Sequence, residues 1–167
     1  MDNISYYNSP LGTILLASDG IGLSGLWFEG QKNYASTLHP EFRNCDDDHT
    51  KAAADWLDAY FSGAVPGFPP AMHLTGTEFR IRVWNALMSV PYGETMTYGA
   101  ISLRLAEKDG KGSCGSAARA VGSAVGHNPI SIIIPCHRIV GADGKLCGYA
   151  GGVERKKELL RLEGILK

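Results

Sequence analysis

The 167-residue sequence predicts an α+β protein with two domains: a small N-terminal domain made of a β-meander and a helix, and a C-terminal winged helix-turn-helix domain. Three observations predict this division. Short apolar runs separated by turn residues open the chain, a segment with three prolines occupies residues 64–76, and the apolar spacing beyond it is mainly helical. The predicted domains are therefore residues 1–75, which include the Pro-rich linker, and residues 76–167.

Turn residues and helical spacing define the elements of the first domain. ISYYNSPLGTILLASDGIGLSGLWFEG is interpreted as three strands, because SPLG and DGIG interrupt its apolar runs. HTKAAADWLDAYFSG is predicted to be a helix that closes on Gly63. AVPGFPPAMHLTG follows as the linker between the domains.

The second domain is predicted to contain four helices. TEFRIRVWNALMSV begins at an N-cap candidate, Thr77, and YGAISLRLAE and AARAVGSAVG form the second and third helices. The run ISIIIP should be a buried strand that ends at Pro135. IVGADGKLCGYAGG is interpreted as a hairpin around Asp143 and Gly144, and VERKKELLRLEG as a final amphipathic helix. Helix, turn, helix and hairpin in this order predict a winged helix-turn-helix.

Composition and charge restrict the class of protein. With 44% hydrophobic and 20% charged residues the chain is of the globular type, and no apolar stretch approaches the about 20 residues of a membrane span. The N-terminus lacks a basic segment followed by an apolar one, so a cytoplasmic location is expected. Four scattered cysteines without a C-x-x-C pair argue against a disulfide framework and a zinc knuckle.

The charge is unevenly distributed along the chain. Residues 1–65 hold three basic and nine acidic residues, a net charge of −6, whereas residues 66–167 hold thirteen basic and eight acidic residues, a net charge of +5. A basic half could bind phosphate groups. Uneven solvation of two domains explains the same numbers, and charge alone does not decide between these interpretations.

The third helix of the second domain has an unusual composition for a DNA-reading helix. Base edges in the major groove are read by several long polar side chains, and AARAVGSAVG offers one, Arg119. Small residues would instead let the backbone approach a groove about 6 Å wide closely. A buried helix packed through its alanines is the alternative that this segment leaves open.

The triplet Cys136, His137 and Arg138 follows the apolar run and is the main candidate for a reactive site. A thiol reacts as the thiolate and therefore needs a base or positive surroundings. His137 is adjacent, but neighbours on a strand point to opposite faces, so a bridging water would join it to the thiol. Arg138 could favour the thiolate or hold a phosphate.

Three further residues are candidates outside this triplet. Glu163 lies at helical spacing from Leu159 and Leu160, which places a carboxylate on the apolar face of the last helix. It could orient a histidine or simply lie at a frayed helix end. Asn128 stands just before the apolar run, where an asparagine commonly caps a turn, and Tyr98 begins the second helix, where a packing role is usual.

The segment NPISIIIPCHRIVGADGKLCGYAGGVERKKELLRLEG resembles the active-site region of the O6-alkylguanine-DNA alkyltransferases, the methylated-DNA–protein-cysteine methyltransferases. PCHR, GYAGG and the last helix match in spacing, and the resemblance extends upstream through AARAVGSAVGHNP and VPYGETMTYGAI to about Thr77. YYNSPLGTILLA and LDAYFSG resemble the family's ribonuclease-H-like N-terminal domain more loosely.

This resemblance implies DNA repair by an irreversible, single-turnover transfer of an alkyl group from O6-alkylguanine to Cys136, after the damaged nucleotide is flipped out of the duplex. His137 would take the thiol proton through a water, and Glu163 would hold the imidazole. Asn128 would brace the turns around the site. Whether O4-alkylthymine is a second substrate stays open.

The resemblance also implies the contacts with DNA. Arg119, with Ala118 before it, would enter from the minor groove and fill the gap in the duplex. Tyr98 would help to extrude the base and would donate to the guanine ring. Residues of the GYAGG segment, Tyr149, Ala150 and Gly151, would line the pocket, with the Ala150 N–H facing O6. The main-chain carbonyls of Cys136 and Ile139 would bind the exocyclic amine of the base.

The sequence departs from the family pattern in ways that bear on cofactors and specificity. EKDGKGSCGS is longer than the corresponding loop of many members, and Ala150 stands where some have serine. The N-terminal cysteine and histidine ligands with which some members hold zinc are missing, since Cys45 is the only cysteine before Cys114. We expect no metal, no cofactor and a monomer that binds double-stranded DNA.

Other functions fit the sequence less well. A protein that binds alkylated DNA without repairing it, as some relatives do, would lack the cysteine of PCHR, which is present as Cys136. A cysteine hydrolase would need an oxyanion hole, for which no motif is visible. Transcriptional regulation, as in some fused relatives, would need an additional metal-binding domain. A winged-helix scaffold that uses the triplet only for packing is the remaining alternative.

Overall fold

The computed structural model describes residues 1–108, 118–146 and 148–167. The chain divides into two compact units, Met1–Thr75 with Pro129–Ser131, and Gly76–Asn128 with Ile132–Lys167. The predicted division after residue 75 agrees with these units except for the short segment Pro129–Ser131. The prediction places this segment in the second domain, whereas in the structure it belongs to the first unit. None of the helices within the described residues is long and apolar enough to cross a membrane.

The first unit contains a four-stranded sheet in the order β3-β2-β1-β4. β1 (Asp2–Ser9), β2 (Gly12–Ser18) and β3 (Leu23–Phe28) form the predicted antiparallel meander. β4 (Phe42–Asn44) pairs in parallel with β1 and was not predicted. Its three residues are all exposed, so it has no apolar alternation that could have revealed it.

α1 (Asp48–Phe61) confirms the predicted helix of the first unit. Asp47 accepts hydrogen bonds from the backbone N–H groups of His49 and Thr50, and the Thr50 hydroxyl accepts one from the N–H of Asp47, which is a reciprocal capping box.

The segment that we interpret as a linker forms backbone hydrogen bonds with the sheet. Leu23 of β3 bonds to the Ala71 carbonyl and to the His73 N–H, each at 2.8 Å.

Gly25 leaves room for the central tryptophan of the first unit. A β-carbon on Gly25 would lie 2.0 Å from Cη2 of Trp27, which is fully buried. We therefore expect Gly25→Ala to lower the free energy of unfolding by about 1–3 kcal/mol, as overpacking does. Urea denaturation measures this change. Gly67→Ala is the matched control, because a β-carbon there meets nothing within 4 Å; an equal loss in both variants would contradict the packing argument.

Within its described residues, the second unit contains four α-helices and a short parallel sheet. α2 (Glu78–Leu87) begins after Thr77, whose hydroxyl accepts from the Arg80 N–H and confirms the predicted N-cap. The other helices are α3 (Tyr98–Lys108), α4 (Ala118–Gly126) and α5 (Val153–Leu162). β5 (Met96–Thr97) pairs in parallel with β6 (Ile139–Val140).

The apolar run before Cys136 is buried as predicted, but the prediction of a strand is wrong. Ile130 forms an isolated bridge with Leu26, and the chain then turns at Ile132, which has φ +70°. A β-branched residue in this left-handed region costs of the order of 1–3 kcal/mol. The turn and the proline at 135 prevent a continuous ladder, because proline has no N–H to donate. Cys136–Arg138 consequently forms a 3₁₀ turn.

The predicted hairpin around Asp143 and Gly144 is a turn without a second strand in the part of the chain that the structure describes. Gly144 has φ +79°, and hydrogen bonds of 2.9 Å from Gly144 to Gly141 and from Gly141 to Lys145 close the turn. β6 nevertheless pairs with β5 rather than with the residues after the turn. Some of those later residues instead direct their carbonyls towards α5 side chains.

Candidate active site

Cys136 lies in the 3₁₀ turn, and only 3% of its surface is exposed. The side-chain amide of Asn128 donates to Sγ of Cys136 at 3.2 Å and to the Ile134 carbonyl at 2.8 Å. Burial raises the pKa of the Cys136 thiol to about 11, although the Asn128 hydrogen bond and the charge of Lys156 oppose the shift. At neutral pH the thiol therefore keeps its proton until a base removes it.

His137, the residue after Cys136, forms a fully buried pair with Glu163. Nε2 of His137 lies 2.5 Å from Oε2 of Glu163, and burial lowers the pKa of His137 even though the Glu163 carboxylate favours the charged ring. The lowered pKa favours the neutral imidazole at neutral pH. The same carboxylate accepts from Arg138 Nε at 2.7 Å and from the Gly93 N–H at 3.1 Å. Because a carboxylate is an acceptor, Nε2 carries the ring proton and Nδ1 has the basic lone pair.

Glu163 reaches this position because it ends α5. The helix stops at Leu162, and the N–H of Glu163 still bonds to the Leu159 carbonyl at 3.1 Å. Leu159 and Leu160 are buried, and their face of the helix directs the Glu163 side chain inwards, where none of it is exposed. The alternative of a frayed helix end is therefore wrong for this residue.

Arg138 is held inside the protein. Besides its bond to Glu163, Nη1 donates to the Val90 carbonyl at 2.9 Å, and the guanidinium carbon lies 5.7 Å from the centre of the Tyr92 ring. Only 9% of the side chain is exposed. The structure therefore does not support the prediction that Arg138 contacts DNA or holds a phosphate, because the guanidinium is already engaged with groups of the protein.

Lys156 is a residue of the site that the sequence analysis missed. It is fully buried, and its Nζ donates to the carbonyls of Ile139, at 2.5 Å, and Gly148, at 3.3 Å. Its spacing from Leu159 and Leu160 is helical, which was the available signal. A lysine on a helix usually extends into solvent, so the signal was easily overlooked. The Ile139 carbonyl, expected to bind the exocyclic amine, thus already has one partner.

Removal of the Lys156 charge should slow the reaction of the thiol. We expect Lys156→Gln to lower the single-turnover transfer rate at pH 7.5 by up to about tenfold. The charge of Lys156 opposes the rise in the Cys136 pKa, and each pKa unit changes the thiolate fraction about tenfold. Quenched-flow transfer from an alkylated duplex measures it. Lys157→Gln is the control, since Lys157 is more than one-third exposed and pairs with Glu154. Equal rates for the two variants would contradict an electrostatic role of Lys156.

Two residues of the GYAGG segment lie near other candidate site residues: Tyr149 near His137, and Gly148 near Tyr98. The rings of Tyr149 and His137 are 6.5 Å apart at an angle of 77°. A β-carbon on Gly151 would lie 2.5 Å from Cε2 of Tyr149, so the tyrosine ring occupies space that only glycine leaves free. The Tyr98 hydroxyl is 3.8 Å from the position of a β-carbon on Gly148. Ala150 is half-buried.

α4 combines a buried face with an exposed arginine. Val121, Ala124 and Val125 are buried, whereas Arg119 is exposed. Ala118 is the first residue of the helix. Packing through small residues and exposure of one long polar side chain therefore occur in the same helix. Within the loop of residues 107–116, residues 109–116 with Cys114 lie outside the described residues, as does Cys147.

Cys45 and Cys136 are free thiols, the first exposed and the second buried. Among the residues that the structure describes, no group of three or more His, Cys, Asp or Glu side chains could hold a metal ion. The candidate site thus provides a buried thiol (Cys136), a neutral base (His137), an anion that orients the base (Glu163) and a hydrogen-bond donor to the sulfur (Asn128).

Two family models match the chain. Residues 4–68 match the ribonuclease-like domain of 6-O-methylguanine DNA methyltransferase, and residues 78–165 match the DNA binding domain of the same family. Together they cover most of the sequence. The first match lies in the sheet unit and contains no residue of the candidate site, whereas the second contains all of them.

Individual relatives and solved structures agree with these matches. The chain is 47% identical over 156 residues to the methylated-DNA–protein-cysteine methyltransferase of Mycobacterium tuberculosis, covering 93% of this chain and 88% of that protein. It is 43% identical over 158 residues to the Methanosarcina acetivorans protein of the same name, covering 95% and 96%. It is also similar to the crystal structure of Mycobacterium tuberculosis OGT in complex with DNA, with 43% identity, coverage of 96% and 92%, and a TM-score of 0.80.

Proposed function

Because this chain belongs to the 6-O-methylguanine DNA methyltransferase family, we propose that Cys136 is the residue to which it transfers the alkyl group. The chain repairs DNA by moving the alkyl group from O6 of guanine to one of its own cysteines. The observation that supports Cys136 is the hydrogen bond that its Sγ accepts from the Asn128 amide, together with the buried His137–Glu163 pair that begins at the next residue of the chain. Cys45, in contrast, is exposed and bonds to the Asp46 carbonyl.

In the proposed reaction, Sγ of Cys136 attacks the saturated carbon attached to O6. The S–C bond forms as the C–O6 bond breaks, and the electron pair of the broken bond stays with guanine. The thiol proton passes to Nδ1 of His137 through a bridging water, and Glu163 stabilises the imidazolium that results. The raised pKa of Cys136 explains why this base is needed. The product is a thioether, which offers water no route back, so each molecule reacts once.

We propose that the protein binds double-stranded DNA through the minor groove, with α4 against the groove. Arg119 would occupy the gap that a flipped nucleotide leaves, and Ala118 would permit close approach; inserted side chains offset the unstacking cost of a few kcal/mol. Tyr98 would donate to the guanine ring. The proximity of Tyr98 to Gly148, and of Tyr149 to His137, supports a pocket between these groups.

Main-chain groups of the pocket would then recognise the base. Ala150 and Gly151 would contribute to the lining, with the Ala150 N–H facing O6. The carbonyl of Cys136 accepts from the Ile139 N–H, and that of Ile139 accepts from Lys156. Each carbonyl oxygen has a second lone pair for the exocyclic amine. We further propose that the protein is a monomer with domains 1–75 and 76–167 and that it acts in the cytoplasm. O4-alkylthymine is proposed as a second substrate to be tested.

Intact-mass measurement with peptide mapping tests the acceptor. After incubation with a duplex that contains one O6-methylguanine, the protein should gain the mass of one methylene group, on the peptide that contains Cys136. Cys45→Ser is the control and should gain the same mass, because Cys45 is outside the candidate site. A methylene on another cysteine would overturn the assignment, and an unchanged mass with bound duplex would indicate a lesion-binding protein.

A further inference from the structure

α4 connects two residues with different proposed roles. Arg119 is exposed in its first turn, and Asn128, two residues beyond its end, donates to Sγ of Cys136. Seven positions separate Arg119 from Gly126, the last residue of α4, which is roughly 10 Å at the helical rise. A group that holds the end of α4 in place therefore also holds Asn128 against the thiol.

The last turn of α4 receives a hydrogen bond from another helix. The final carbonyls of a helix lack intrahelical N–H partners. The Ala124 carbonyl accepts from the His127 N–H at 3.2 Å and, in addition, from Nε1 of Trp84 in α2 at 2.8 Å. The next carbonyl, that of Val125, accepts from the Asn128 N–H at 3.3 Å. The Trp84 indole thus donates to the Ala124 carbonyl, and the next carbonyl in the chain, that of Val125, accepts from the backbone N–H of Asn128.

The Trp84 ring is closely confined. Only 1% of the residue is exposed, and a β-carbon on Gly76 would lie 2.8 Å from Cη2 of the ring. A buried indole in this protein does not always make such a bond: within the described residues, the buried Nε1 of Trp27 has no hydrogen-bond partner. The bond of Trp84 is therefore a specific feature of the α2–α4 contact, and Trp27 offers a matched position without it.

We infer that Trp84 is a positioning residue for alkyl transfer, which fixes the last turn of α4 through the Ala124 carbonyl and so holds Asn128 against the Cys136 thiol. The inference rests on the proposed role of Cys136 as the acceptor. Trp84 acts through Asn128 and is not itself a catalytic residue. Its contribution should appear in the rate of the transfer step rather than in the affinity for the duplex.

The test replaces Trp84 by β-(3-benzothienyl)alanine, which has nearly the shape of tryptophan but sulfur in place of the N–H. Single-turnover transfer from a duplex with one O6-methylguanine is followed at saturating protein, at a temperature at which every protein is fully folded. The transfer rate constant should fall about three- to tenfold, the effect of one neutral hydrogen bond. The apparent Kd should stay unchanged. The same replacement at Trp27, whose N–H has no acceptor, should leave the rate constant unchanged.

Asn128→Ala shows whether the effect passes through Asn128. Combined with the replacement at Trp84, it should reduce the rate constant no further than Asn128→Ala alone, because two changes on one path are not additive. Three results would each overturn the inference: losses of rate from the Trp84 replacement and Asn128→Ala that multiply in the combined variant, a Trp84 replacement that leaves the rate constant unaffected, or one that changes only the apparent Kd. If the wild-type protein transfers the methyl group normally in those cases, the proposed function stands; a wild-type protein that transfers nothing would overturn both.

Discussion

Replacement of Cys136 by alanine is expected to abolish alkyl transfer completely while leaving duplex binding intact. The sulfur is the only atom of this residue that can form the S–C bond, and alanine offers no nucleophile in its place. The residue is 3% exposed, and its thiol receives a hydrogen bond from Asn128, so the substitution removes a buried polar contact without creating a large cavity. The measurement is transfer of radiolabelled methyl from O6-methylguanine DNA to protein, with duplex binding followed by anisotropy.

Cys45→Ser controls for general effects of losing a thiol and should transfer the methyl group at the wild-type rate. Cys136→Ser adds a stricter comparison, because it keeps a nucleophilic atom of similar position but with a much less acidic O–H. Its transfer should also be undetectable on the time scale of the wild-type reaction. Labelled protein from Cys136→Ala would show that another residue accepts the alkyl group.

Substitution of Glu163 by glutamine is expected to affect stability and activity together. The carboxylate accepts from His137, Arg138 and Gly93, and none of the side chain is exposed. Glutamine leaves the buried Arg138 charge without an anion, so the free energy of unfolding should fall by about 3–5 kcal/mol. The transfer rate should fall about 10²- to 10⁴-fold, because His137 loses the group that sets its tautomer and stabilises its charged form.

Urea denaturation and single-turnover kinetics at low temperature measure these two effects separately. Glu154→Gln is the matched control: Glu154 is exposed and pairs with Lys157 at 3.3 Å, and surface pairs contribute less than about 1 kcal/mol. Glu163→Asp keeps the charge and should recover part of the rate. A Glu163→Gln protein with wild-type kinetics would show that the carboxylate supports only the fold.

Local sequence signals predicted most of the secondary structure. The meander of β1 to β3 and the helices α1 to α5 follow from turn residues, apolar spacing and, for α2, the Thr77 cap, all of which act within a few residues. The two errors near the site have a common cause. The apolar run at 130–134 has the composition of a strand, but the positive φ of Ile132 and the pairing of β6 with β5 depend on contacts with distant parts of the chain.

The two-part α+β organisation, the family, and the candidates Cys136, His137, Glu163 and Asn128 could all be predicted from motif spacing, which is a property of the chain alone. The contact partners of several side chains, in contrast, depend on how the chain folds. Arg138 reaches Val90, Glu163 reaches Gly93, and Lys156 reaches Ile139. These contacts matter because the side chains are buried. A charged group removed from water is stable only when the fold places hydrogen-bond or ion-pair partners beside it.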